Sequence, residues 1–208
     1  MGYMENNKNT TESEKSKMLS FIKSKLKSDS FKNTWDMVKF AIIAFLVVIP
    51  VRMFIAQPFI VSGESMFPTF HDGQYLIVDE ISYIVKGAHR GDVVIFKYPG
   101  DTSRYFIKRI IGMPNEKIII NNGEVIIVNK ENKDGFILKE PYLNEFFDTT
   151  INYETKDNEY FVMGDNRNKS SDSRTWGKLP EKLIIGRAYL RLLPFKEISH
   201  LPGNYKQN

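Results

Sequence analysis

The sequence predicts a mainly β fold: an antiparallel, partly barrel-like β domain carried behind one N-terminal transmembrane helix. Three observations lead there. Phe40 to Val51 is uninterrupted apolar sequence, and with Met53 to Ala56 it nears the length that crosses ~30 Å of hydrocarbon. After residue 58 the pattern changes to short β-branched runs separated by turn residues. No segment beyond that point carries a long helical period, and short, closely spaced strands favour a curled antiparallel sheet.

The elements follow in order. Residues 1–34 form a polar, lysine-rich arm, in which Met18, Leu19, Ile22 and Leu26 recur at helical spacing within Ser16–Lys27. That stretch fits either an amphipathic helix on anionic lipid or a solvated tail. Residues 35–57 are the expected span. Arg52 snorkels toward an interface and Pro50 kinks the helix near its end. The lysine excess lies before the span, so the amino terminus is expected in the cytoplasm and residues 58–208 outside. The charged stretch is too long for a cleaved signal peptide, and Gln57-Pro58-Phe59-Ile60-Val61 has no small-x-small site. A retained, single-pass anchor in the cell membrane is therefore expected.

Strands are predicted at Gln74–Asp79, Asp92–Lys97, Tyr105–Ile111, Lys117–Ile120, Glu124–Val128, Glu159–Met163 and Ile184–Leu193. Asn121-Asn122-Gly123 is a hairpin signal between two of them. The stretch of about 129–158 is polar and reads as an irregular excursion from the β core.

Composition removes several chemistries. The 208 residues include no cysteine, which excludes disulfides, thiol nucleophiles and thiolate zinc sites. His71, His89 and His200 are the only histidines, and their spacing fits no metal motif. No metal and no cofactor are expected. The net charge of +4 is concentrated before the span and implies membrane lipid, not nucleic acid, as its partner.

Four segments can carry chemistry. Ser62-Gly63-Glu64-Ser65-Met66-Phe67-Pro68-Thr69 is a turn that presents the Ser65 hydroxyl, though most turn serines merely bond backbone. It is no nucleophile elbow, since Phe67 stands where glycine would. Gly91–Phe96 is a turn entering a strand, either structural or lining a substrate groove. Tyr105–Pro114 carries Lys108 on one strand face with Phe106 and Ile110. Such a lysine is either on a solvated sheet or buried, and burial lowers an amine's pKa enough to make it a base toward a serine. Gly164–Arg174, dense in Asp, Asn, Ser and Arg, is either an ordinary Asx-rich loop or a hydrogen-bonded scaffold beside a site.

In order and content these segments resemble the bacterial type I signal peptidases, membrane serine proteases with a Ser/Lys dyad. The matching motifs stand at Ser65–Thr69, Gly91–Phe96, Phe106–Pro114 and Gly164–Arg174, and the likeness runs from about residue 36 to 195. The compact length and single span look like a Gram-positive member. The resemblance implies a monomeric endopeptidase that removes signal peptides from secretory preproteins at the outer membrane face, after small residues of the Ala-x-Ala type. It implies Ser65 as nucleophile and Lys108 as general base. Ser170 would orient the lysine, Asp172 and Arg174 would form an ion pair under the site, and Asp165 would support the same loop. It implies shallow pockets from Phe59, Ile60, Val61, Tyr105, Phe106 and Ile107. The chain departs at Gly63, where some members carry a second serine as oxyanion donor, so the oxyanion region at Ser65 and Gly63 would lean on the Ser65 backbone N–H and water. It departs also at Phe106, where some carry tyrosine. Self-cleaving repressors share a Ser/Lys dyad but have a DNA-binding head where this chain has a span. A catalytically silent peptide-binding module is the other alternative, and intact Ser65 and Lys108 argue against it.

Overall fold

The computed structural model describes residues 17–18, 34–48 and 57–205. The chain divides into two compact units after Val51. In the first, residues 34–48 form helix α1, which carries an exposed Asp36–Lys39 pair in its first turns and is apolar on all sides from Phe40 on, with Phe40, Phe45 and Leu46 exposed. No helix among the described residues is long and apolar enough to cross a membrane. The expected span continues through residues 49–56, which lie outside the described residues, as does most of the arm with its Ser16–Lys27 stretch. One boundary is corrected. Gln57, expected at the end of the span, is the first residue of strand β1 (Gln57–Ile60), because it pairs with Val78 of β2 (Tyr75–Asp79). The apolar residues of β1 continue the apolar run, which hid the strand in the sequence.

The second unit is built on two antiparallel sheets. The larger contains β1, β2, β3 (Val93–Tyr98), β4 (Asp101–Gly112), β9 (Glu159–Met163), β10 (Leu179–Pro180), β11 (Ile184–Leu193) and β12 (Ser199–His200). Its order is β1-β2-β11-β3-β4-β9-β10, with β12 on β11. The smaller runs β7-β6-β5-β8, from β5 (Lys117–Asn121), β6 (Glu124–Val128), β7 (Phe136–Ile137) and β8 (Ile151–Glu154). Two short helices, α2 (Ile81–Lys86) and α3 (Ser173–Trp176), join the strands.

β3 shows why an unbroken apolar run makes this core. Val93 and Ile95 pack with Val61, Met66, Phe70, Leu76 and Val78, while Val94 and Phe96 pack on the other face with Ile110, Tyr160 and Val162. A strand covered on both faces has no polar alternation. β4 begins four residues earlier than the sequence predicts. Its first residues, Asp101 to Arg104, are polar and exposed, so only the hairpin pairing Tyr98↔Asp101 reveals them. At the β5–β6 hairpin, Asn122 and Gly123 take φ of 47° and 81°, the left-handed pair that a tight two-residue turn requires.

The 129–158 stretch is more ordered than predicted. It supplies β7 and β8 to the smaller sheet, and it buries Leu138, Tyr142 and Phe147. Its polar sequence reflects half-exposed strands anchored by a few apolar side chains.

The larger sheet curls. Strand β1 at one end comes back toward β4, and the Phe59 and Tyr105 rings meet edge to face at 5.6 Å. Among the described residues β1 pairs only with β2, and β4 before Arg109 pairs only with β3. Two free strand edges therefore face one another across a gap.

Candidate active site

The turn after β1 is fixed by its apolar ends. Met66 and Phe70 are fully buried in the core between β2 and β3, and the Phe70 N–H donates to the Met66 carbonyl at 2.9 Å. Ser65, just before them, is thereby held half-buried at the rim of the gap. β4 brings the second group. Alternation along the strand puts Lys108 on the face of Phe106 and Ile110, and Lys108 is only 4% exposed. Its Nζ lies 2.7 Å from Ser65 Oγ and donates to the Ile107 carbonyl at 2.8 Å. Burial pushes the Lys108 amine down to about 8, against the opposing pull of Asp172 and Asp165. Neither carboxylate touches it.

The loop after β9 closes the floor. The Asn166 N–H donates to the Ser65 carbonyl at 3.1 Å. A Cβ on Gly164 would lie 2.3 Å from Ser170 Oγ and 2.4 Å from the Ser65 carbonyl oxygen, so only glycine admits this approach. Asp172 accepts from the Gly164 N–H at 3.1 Å and from Arg174 Nε and Nη2, both at 2.8 Å. The expected Asp172–Arg174 ion pair is thus formed, with the carboxylate fully buried. Asp165 accepts from Arg109 Nε at 2.8 Å, Arg109 Nη2 at 2.5 Å and Thr69 Oγ1 at 2.5 Å. It ties the loop to β4 and to the end of the serine turn.

One expected detail differs. Among the described residues Ser170 Oγ is buried without a hydrogen-bond partner and does not bond Lys108, because the amine turns its donors to Ser65 and to its own strand. The Gly63 N–H donates to Asp72 Oδ1 at 2.7 Å and so is not free for an oxyanion. The Ser65 N–H donates to no protein group among the described residues.

A cleft of about 460 Å³ opens at Ser65 and Lys108. Phe59, Ile60, Val61, Tyr105, Phe106 and Ile107, all singled out in the sequence, line it together. Ile95 lines it too, from the Gly91–Phe96 segment whose sequence allows a groove wall; Leu76 at its floor, and Ser62, Arg104 and Ser171 at its edge, were not foreseen. Nor were Arg109, Thr69 and Arg167, whose partners lie far along the chain.

A serine hydroxyl against a buried amine with a lowered pKa, at the mouth of an apolar cleft, is an arrangement suited to a serine peptidase. Comparison with known proteins agrees. The family model described as signal peptidase, peptidase S26, matches residues 34–193. A probable signal peptidase I-1 of Synechocystis sp. is 32% identical over 180 residues, covering 81% of this chain and 89% of that protein. Signal peptidase IB of Staphylococcus aureus is 34% identical over 177 residues, covering 76% and 88%. A crystal structure of a signal peptidase I from Enterococcus faecalis aligns at 27% identity over 49% of this chain and 97% of its own, with a TM-score of 0.43. The chain belongs to the signal peptidase family, peptidase S26, and is a serine endopeptidase.

Proposed function

We propose that the chain removes N-terminal signal peptides from secretory preproteins, with Ser65 as nucleophile and Lys108 as general base. The observation that carries this reading is the 2.7 Å contact between Ser65 Oγ and a buried, easily deprotonated amine. In the neutral amine the Nζ lone pair accepts the Ser65 proton as Oγ attacks the scissile carbonyl carbon. The resulting ammonium gives that proton to the departing amine as the C–N bond breaks and the acyl-enzyme forms. Lys108 then takes a proton from water, the hydroxide attacks the ester, and Ser65 leaves as its hydroxyl when the proton returns. The free Ser65 N–H is the oxyanion donor in this scheme.

The free edges of β1 and β4 suit an extended peptide, which would pair with them as an added strand. Phe59, Val61, Leu76 and Ile95 give the cleft an apolar wall, which suits small apolar side chains at the cleavage site. This favours cleavage after Ala-x-Ala. Helix α1, apolar on every side from Phe40 on, suits an anchor continuing through residues 49–56. Together with the lysine-rich arm it supports a single pass, with the amino terminus cytoplasmic and the β unit outside.

The test is cleavage of a preprotein by full-length protein in detergent. Ser65→Ala and Lys108→Ala should each lose activity by at least about a thousandfold while staying folded. Appreciable processing by folded Ser65→Ala would refute the assignment. Protease added outside spheroplasts should digest the β unit and spare the arm; the reverse pattern would refute the orientation.

A further inference from the structure

The excursion sends three side chains under the site. Glu140 accepts from both terminal nitrogens of Arg167, at 3.0 Å from Nη1, and this pair is almost wholly buried, at 6% and 1% exposure. Tyr142 donates its hydroxyl to Glu140 at 2.7 Å and lays its ring 3.9 Å from the Arg109 guanidinium carbon. Phe147 sits 4.8 Å from the Arg167 guanidinium and 5.7 Å from that of Arg174. Phe147 is itself fixed in the core of the smaller sheet with Ile118, Val125 and Phe161.

Each of these arginines holds a different part of the site. Arg109 grips Asp165, and Arg174 grips Asp172. Arg167 donates Nε to the Gly164 carbonyl at 3.0 Å, at the glycine pressed against Ser65 and Ser170. The Arg167 carbonyl in turn accepts from Arg174 Nη2 at 2.6 Å. Besides the 164–174 loop itself, the segment 140–147 touches all three guanidinium groups, Arg109 through Tyr142, Arg167 through Glu140 and Phe147, and Arg174 through Phe147.

We infer that Glu140, Tyr142 and Phe147 are positioning residues, a clamp by which the smaller sheet holds the arginine floor and, through it, the geometry of Ser65 and Lys108. The inference rests on the proposed Ser/Lys chemistry and adds to it a role for the accessory sheet. A buried ion pair stabilises little over an apolar replacement, but breaking one leaves an uncompensated charge. If Glu140 loses its charge, Arg167 seeks another acceptor and the Gly164 segment shifts. Displacement of reacting groups by about 1 Å can lower a rate by about a hundredfold.

The charged groups around Lys108 make the effect readable. They are Asp165 and Asp172 from the loop, balanced by Arg109, Arg174 and Arg167. Arg104 adds its charge from the same strand, and the exposed Glu64–Lys169 pair lies beside Ser65, while β3 presents only Val94 opposite. Loosening the floor admits water and frees part of the carboxylate field, and both changes favour the ammonium.

The experiment compares full-length wild type with Glu140→Gln and Tyr142→Phe in detergent, with thermal unfolding as the check on folding. Glu140→Gln should lower kcat by about tenfold to a hundredfold with KM moved less than about twofold. The acidic limb of kcat/KM should move to higher pH, so that activity is partly regained on alkalinisation. The Lys108 amine should titrate at correspondingly higher pH, read from the 13C resonance of its Cε. A folded Glu140→Gln with unchanged kcat and unchanged Lys108 titration would overturn the clamp and leave a purely structural ion pair. If Glu140→Gln does not fold, Tyr142→Phe, which removes only a hydroxyl, is read by the same measures: a lower kcat with a raised titration supports the clamp, and no change overturns it. The titration needs no substrate. A wild type that does not cleave preproteins therefore refutes the functional reading, while the titration still decides the clamp.

Discussion

Strand β4 presents two buried cations side by side, and its two faces treat them in opposite ways. Lys108 on one face meets a hydroxyl and a backbone carbonyl, with no carboxylate in contact. Arg109 on the other face is fully buried and meets Asp165 through two nitrogens, the Gly91 carbonyl at 2.8 Å and the ring of Tyr142. Burial acts on both. On Arg109 its effect is outweighed by the paired carboxylate, and the guanidinium is held charged above its ordinary value. On Lys108 it is not outweighed, and the amine falls to about 8. The same strand thus holds one cation as structure and gives up the other's proton. What separates them is the placement of a carboxylate, not the degree of burial.

The largest test of this contrast exchanges the two kinds of cation. Lys108→Arg should be inactive, by about a thousandfold or more, because a guanidinium stays protonated and cannot accept the Ser65 proton. Lys108→Met should be equally inactive yet no less stable than wild type, since it removes a buried charge that has no ion partner. Preprotein cleavage and thermal unfolding of both variants check this. A Lys108→Met protein that unfolds far below wild type would show that the amine is structural after all.

On the opposite face the order of effects reverses. Arg109→Met leaves Asp165 buried beside only the Thr69 hydroxyl, and should destabilise by about 3–5 kcal/mol. At about 2–4 °C per kcal/mol, the melting temperature should drop by on the order of 10 °C. An unchanged melting temperature would mean that water replaces the guanidinium at no cost.

The reach of sequence reasoning follows the same division. Ser65 and Lys108 were legible because each stands in a short linear pattern. Six cleft-lining residues, Phe59 to Val61 and Tyr105 to Ile107, were legible as neighbours of those patterns. The partners of the structural face were not. Thr69 and Asp165 lie 96 residues apart, Arg109 and Asp165 lie 56 apart, and Arg167 and Glu140 lie 27 apart. Nothing in local pattern announces such pairs. Gly63 shows a subtler limit: the missing side chain was visible, but the bond of its amide to Asp72 depends on how the turn folds back. Ser170 shows another, since its neighbourhood was legible while the direction of its hydroxyl was not. β7 and β8 were hidden because half-exposed strands of two and four residues carry too few apolar positions to register a period.

A pH series sharpens the contrast without altering the site. In the proposed mechanism Lys108 acts only when neutral, so kcat/KM should rise tenfold per pH unit below about 8 and level off above it. Stability should follow the same group. Between about 8 and the ordinary value of 10.5 the unfolded chain retains a proton that the folded chain has shed. Folding is therefore favoured increasingly as pH rises through that window. The buried ammonium costs roughly 3 kcal/mol below the window and nothing above it. The difference in unfolding free energy between wild type and Lys108→Met isolates this slope from other titrating groups. A difference that stays flat from pH 7 to 11 would mean that the amine is solvated.

The smallest expected effect separates the two partners of Asp165. Arg109 supplies a charge and two donors, whereas Thr69 supplies one hydroxyl at 2.5 Å. Thr69→Val keeps the volume and removes the donor. A hydrogen bond to a charged acceptor contributes about 1.5–3 kcal/mol. Because Asp165 keeps its ion pair, the loss should fall at the low end of that range, a drop of a few degrees in melting temperature. The position of Ser65 depends more on Met66 and Phe70, both fully buried, than on this bond. Cleavage should therefore fall by less than about tenfold. If Thr69→Val instead lowered kcat as far as Lys108→Arg does, Asp165 would be acting on the reacting pair directly, and the division of β4 into a structural and a reactive face would fail.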